Sequence, residues 1–186
     1  MTPDVVARIE RALRDLRALG AGIATGDPGD PVEPASFESG AAASRIASIA
    51  ALVGTPLPDD YAYFLSRCAG FVGMDFHNGY AMLTPEEVVR HLRGAGAPRY
   101  VAAADGTIPL LPVAADGGGN LFLLRLRAPH AVLRWDHEVG GACDILPAGH
   151  DSLRPASADF VSLLERIRDD WSHFLGPDPA SWRYLT

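Results

Sequence analysis

The sequence predicts an α+β domain: a largely antiparallel sheet of about four to six strands with helices packed against it, preceded by an N-terminal helix. Three observations carry this. Apolar stripes at helical spacing, bounded by caps and glycines, occur near both ends and through the first half of the chain. From Ile108 onward, short β-prone runs alternate with turns of a few residues, the pattern of an antiparallel meander. At 186 residues the chain fits one domain with an extension. The reading divides it into residues 1–40, an N-terminal helix and Gly/Pro-rich linker, and residues 41–186, the α+β domain.

Thr2 and Pro3 suit an N-cap and first helical residue, and Val6, Ile9, Leu13 and Leu16 then recur at helical spacing until Gly20. From Gly20 to Gly40 the chain is dense in Gly, Pro, Asp and Ser without periodicity, so it reads as a loop, with the first helix as an appendage. Ile46, Ile49, Ala50 and Val53 form a second helical stripe closed by Gly54. Pro58, Asp59 and Asp60 open a third, which places Tyr61, Phe64, Leu65 and Cys68 on one face before Gly70.

Asn78-Gly79 lies between two β-prone runs and is a hairpin signal, because both residues tolerate positive φ. Thr84-Pro85-Glu86-Glu87 is a capping box with proline at the first helical position, and its helix stops at Gly94. The meander follows as IPLLPVAA, NLFLLRLR, AVLRW and CDIL, giving three or four antiparallel strands. In the second of these, Phe122, Leu124 and Leu126 share one face, while Leu121, Leu123, Arg125 and Arg127 share the other. This predicts a central strand with one core face and one partly wet face. A last helix runs from Ser157 as N-cap through Phe160, Leu164, Ile167, Trp171 and Phe174 to Gly176-Pro177.

All 16 basic residues are arginine. The absence of lysine excludes Walker A phosphate binding, Schiff-base chemistry and lysine general bases, since arginine stays protonated. The net charge of −7 disfavours direct nucleic-acid binding and favours a basic protein partner. It divides as −3 over residues 1–40, with four Arg against seven acids, and −4 over the remainder, with twelve against sixteen, so neither part is an acidic tail. No apolar run reaches a membrane span, and the first residues mix apolar with charged positions, so the expected location is the cytoplasm with no membrane partner. Cys68 and Cys143 then read as reduced thiols.

Asp116-Gly117-Gly118-Gly119-Asn120 invites a phosphate-loop reading, but such loops require a helix N-terminus after the glycines and here a strand follows. A tight turn is expected instead. Trp135-Asp136-His137-Glu138 groups polar side chains at a strand end, yet the six histidines are scattered and neither H-x-x-x-H nor C-x-x-C occurs, so no metal site or cofactor is expected. Cys143 and His150 could act as nucleophile and base only if folding joined them. Gly-x-Ser-x-Gly is absent. No catalytic residue is assigned. The residues expected to touch a partner are the acids and an imidazole at turns: Asp75, His77, Asp116, Asp136 and Glu138.

From about Ala41 to Ile167 the order of signals resembles the SUKH superfamily, in the branch of cell-wall-assembly regulators that also contains bacterial toxin-immunity proteins. Leu57-Pro58 with Tyr61, Phe64, Leu65 and Gly70 is similar to the family's leucine-proline helix ending in glycine. Gly117-Gly118-Gly119-Asn120 before Phe122 and Leu124 resembles its glycine-rich turn, and Val132–Trp135 with Ser157, Phe160, Leu163 and Leu164 its later strand and last helix. Arg125 departs from the pattern, standing where members often carry an acid. The resemblance implies an α+β fold without common catalytic residues, and bacterial members that neutralise a cognate toxin, frequently a nuclease, by binding it. Two other readings compete: a regulatory or scaffold domain for an endogenous protein, and a metal-dependent or thiol enzyme around His137, Glu138 and Cys143.

Overall fold

A computed structural model describes residues 1–22, 35–72, 80–94, 96–141 and 143–174. In chain order the elements are α1 (Pro3–Gly22), β1 (Ser36–Ser39), α2 (Ala43–Val53), α3 (Asp59–Arg67), β2 (Cys68–Val72), β3 (Ala81–Met82), α4 (Pro85–Arg93), β4 (Tyr100–Ala103) and β5 (Gly106–Ala115). They continue as β6 (Leu121–Arg125), β7 (Val132–Trp135), α5 (His137–Gly140), β8 (Ile145–Leu146), β9 (Leu153–Ser157) and α6 (Phe160–Phe174). The α+β class is as expected, but the described residues hold nine strands where about four to six were predicted. The surplus comes from β1 (Ser36–Ser39), β4 (Tyr100–Ala103) and β9 (Leu153–Ser157), short segments with too few alternating positions to show a period of two.

The strands run in the order β1-β2-β3-β5-β6-β7-β9, with β4 pairing β5 and β8. Every pairing is antiparallel except β4 with β8. CDIL therefore does not extend the meander. The Asp144 carbonyl accepts from both Arg99 N and Tyr100 N at 3.0 Å, and its carboxylate takes the Arg99 guanidinium at 3.1 and 2.6 Å. These bonds pin β8 alongside β4, and β9 takes the place beside β7.

Prolines in a strand with two neighbours need an explanation, because each removes a ladder donor. In β5 the register jumps from Pro112↔Leu123 to Ala114↔Phe122, so Pro112 sits at a bulge. β6 is central, as predicted, but neither face is wet: Leu121, Phe122, Leu123 and Leu124 are all buried.

One row of side chains crosses the sheet through Phe37, Phe71, Met82, Ala114 and Phe122. Trp171 of α6 meets this row edge-on at Phe37 and Phe71, with centroids 6.4 and 5.6 Å away. Tyr61, Phe64 and Phe160 form a second aromatic cluster between α3 and α6, with centroids 5.0 to 6.4 Å apart. Phe37 belongs to the stretch read as a loop, and its ring is what draws Ser36–Ser39 onto β2. Residues 23–34 of that stretch lie outside the described residues, as do the Asn78-Gly79 turn and the Gly176-Pro177 stop.

α1 buries Ile9, Ala12, Leu13 and Leu16 in the same cluster as the sheet residues. Arg8 grips Glu165 of α6 through two bonds of 2.9 and 2.6 Å, and Glu10 accepts from Tyr63 and Arg67 of α3 at 2.7 Å each. At α4 the capping box forms as predicted, with Thr84 Oγ1 accepting from Glu87 N and Glu87 accepting from Thr84 N. At α6 the cap is Asp159, whose Oδ1 accepts from Ser162 N at 2.7 Å, while Ser157 belongs to β9.

Candidate functional site

The sheet brings the β5–β6 turn against the end of β7, and three of the five expected contact residues meet there. Asp116 closes the turn. Its Oδ1 accepts from Gly118 N and Asn120 N at 3.1 and 2.9 Å, and its Oδ2 from Asn120 Nδ2 at 2.8 Å. Arg134 adds an ion pair at 3.3 Å, and the Asp116 side chain is only 10% exposed. Both oxygens are spent inside the turn.

Asp136 is the N-cap of α5. Its Oδ1 accepts from Glu138 N and Val139 N at 3.0 and 3.4 Å, so Trp135-Asp136-His137-Glu138 leaves the strand as a capped helical turn. Turn and helix are sewn together by Asn120. Because its amide nitrogen is committed to Asp116, its Oδ1 faces His137 and accepts from the backbone N and from Nδ1, both at 3.3 Å. The second bond requires the imidazole to carry its hydrogen on Nδ1. Gly119, at φ 89°, lies under this ring; a Cβ there would stand 3.1 Å from His137 Cε1. The glycine run thus serves close packing in a turn.

Beyond this frame Glu138 is exposed with no ion pair among the described residues, and beside it Val139 is 53% exposed. This is a charged and apolar rim on a braced base. Asp75 and His77 lie outside the described residues.

The enzyme readings find less to stand on. His150 Nδ1 faces Ser152 Oγ at 2.8 Å and accepts from Ser152 N at 3.2 Å, while Cys143 Sγ is directed to Gly140 O at 4.0 Å. The structure does not bring Cys143 and His150 into a nucleophile–base bond. Ser152 itself is fully buried. Burial pushes the Cys68 thiol above its ordinary pKa, which disfavours the thiolate in the core, and its sulfur donates to Gly70 O at 3.3 Å. Among the described residues no group of three His, Cys, Asp or Glu side chains could hold a metal ion. A cavity of about 50 Å³ between Leu52, Val53, Leu92, Arg99 and Tyr100 is far below the several hundred Å³ of a metabolite site, and a wider one of about 430 Å³ between Asp15, Leu19, Arg168 and Asp169 is an open groove between α1 and α6 with no histidine or cysteine in its lining. No helix among the described residues is long and apolar enough to cross a membrane.

The sequence reading did not identify α5, and the signal was there: Asp136 followed by Glu138 and by Gly140-Gly141 is an N-cap, an acidic first turn and a stop within six residues. It also missed the indole of Trp135, which lies buried against Gly140.

No curated protein matches the chain. A family model does match, over residues 40–166, which span every element from α2 through β9 and the first turns of α6 up to residue 166. By that match, over more than half its length, the chain belongs to the SMI1 / KNR4 family (SUKH-1).

Proposed function

We propose that this chain is a non-enzymatic protein-binding domain that works as an immunity protein, neutralising a cognate bacterial toxin by direct contact. The toxin's class is one with a basic surface, as a nuclease needs to hold its nucleic acid. The observation that carries the reading is the α5 rim, where Glu138 and Val139 stand exposed on a base braced by Asp116, Asn120 and Asp136. An acidic projection with an apolar side chain beside it suits a partner of opposite charge. The net charge of −7 supplies the longer-range field that speeds encounter. Membership of the SUKH-1 family supports the role at the level of the class.

The test is co-expression with toxins encoded beside this gene, followed by pull-down and association kinetics. Rescue of growth with a stable complex is the expected result. Glu138→Arg should slow association roughly 3- to 10-fold at low salt and lose that effect as salt rises. No rescue and no complex with any neighbouring toxin sinks the proposal. Capture of a housekeeping protein in its place favours the regulatory or scaffold reading.

A further inference from the structure

We propose that α5 is a flap that opens locally, without unfolding the sheet, and uncovers the indole of Trp135. Trp135 ends β7 and is 4% exposed, and its Nε1 is buried without a hydrogen-bond partner among the described residues. A donor left in that state loses the bond water would give it in the open form. What lies over the Nε1 edge of the ring is Gly140 of α5, while the ring belongs to the core cluster. A Cβ on Gly140 would stand 2.2 Å from Trp135 Nε1 and 3.0 Å from Ser152 Oγ, so only glycine can rest on the ring.

The next residue, Gly141, has φ 58° and ψ −179°, a conformation essentially confined to glycine. The closed flap therefore keeps an unsatisfied donor beneath it and gives up the conformational freedom of a glycine at its end.

Little opposes these costs. α5 has four residues and none of them is buried. Among the described residues its fastenings are one backbone bond, Gly140 N to Asp136 O at 2.9 Å, the Asp136 cap, the 3.3 Å contacts of His137 with Asn120, and the 4.0 Å contact of Cys143 Sγ with Gly140 O. Water can replace all of them when α5 lifts. Segments with few buried apolar contacts and solvent-reachable hydrogen bonds open well below the global unfolding energy. The group released is a broad apolar ring with a polar tip, the side-chain type that most often anchors protein interfaces. Its use as an anchor rests on the binding role proposed above, whereas the opening is a property of the free chain.

Hydrogen exchange of the Trp135 indole N–H, assigned by its loss in Trp135→Phe, tests the opening on the isolated protein. With both corrected for intrinsic rates, the indole should be protected at least tenfold less than the slowest backbone amides of β6. Protection within tenfold of those amides overturns the flap. Gly140→Ala, which forces a methyl against the indole, should then raise indole exchange at least fivefold while β6 amides keep their rates. Loss of β6 protection in parallel overturns the proposal too, because α5 would then be part of the cooperative core. If that variant does not fold, the wild-type comparison decides alone. A closed flap leaves a toxin complex through Glu138 possible, and an open flap with no toxin partner leaves the exchange result standing.

Discussion

The substitution Leu13→Ala asks whether α1 is part of the cooperative core, although the family match begins only at residue 40. Leu13 is 1% exposed and shares its stripe with Ile9, Ala12 and Leu16, all closed off from water. Truncation to alanine removes the transfer energy of the lost methyl groups and leaves a cavity between α1 and its neighbours. Buried Leu→Ala changes cost about 2–5 kcal/mol, and a site between helices that can shift toward each other belongs in the lower half, about 2–3 kcal/mol. At roughly 2–4 °C per kcal/mol for a chain of this size, the midpoint should fall by about 4–12 °C. In urea, with a slope of about 2 kcal/mol/M, it should fall by about 1–1.5 M. The assay is equilibrium unfolding followed by Trp fluorescence and far-UV circular dichroism, whose transitions should coincide. A shift below about 0.5 kcal/mol, the scale of a surface change, would refute the reasoning and make α1 the appendage that its flanking linker suggested.

Three further outcomes follow from the same contacts. Burial raises the Asp170 carboxyl to about 6, and its Oδ2 has no hydrogen-bond partner among the described residues. A carboxyl whose folded pKa exceeds its unfolded value opposes folding at neutral pH, and that penalty fades as pH falls through 6 toward 4. Asp170→Asn should therefore stabilise the protein at pH 7.5 by about 1 kcal/mol, discounted because the side chain is only partly buried, and the gain should vanish near pH 4 in pH-dependent melting curves. Thr84→Ala removes one half of the α4 capping box and should cost about 1 kcal/mol in urea unfolding, with Thr84→Ser restoring most of it. A double-mutant cycle on Arg8 and Glu165, whose side chains are 30% and 26% exposed, should give a coupling of about 1 kcal/mol that weakens in 1 M salt.

Much of the fold was legible because long periodic stretches report a buried face directly. The stripes of α1, α2, α3 and α6 and the central position of β6 were readable in this way. The errors arose where tertiary contacts decide structure. Ser36–Ser39 has no strand pattern and is held by the Phe37 ring against Phe71 and Trp171, partners that are distant in sequence. β8 has two residues, and its parallel pairing depends on Asp144 reaching Arg99, 45 positions away. The second face of β6 looked wet because Arg125 and Arg127 share its parity, yet Leu121 and Leu123 on that face are buried.

The candidate site was legible in composition but not in the fate of each acid. Asp116, Asp136 and Glu138 all read as exposed turn carboxylates, and the structure divides them by what their own backbone demands. An Asp that opens a tight turn or short helix faces unsatisfied N–H groups two to four residues ahead, and its carboxylate is the nearest acceptor. Asp116 gives Oδ1 to Gly118 N and Asn120 N, and Asp136 gives Oδ1 to Glu138 N and Val139 N. Glu138 stands inside the helical turn, where its own backbone is already served by Asp136 and its longer side chain extends into solvent. The acids that cap can be subtracted before any docking charge is counted, since a glycine or short helix just downstream marks them in the sequence. Applied here, that subtraction leaves Glu138 as the carboxylate of the three that a partner can meet without first breaking a turn, which is why its charge reversal tests recognition while the same change at Asp116 would test folding.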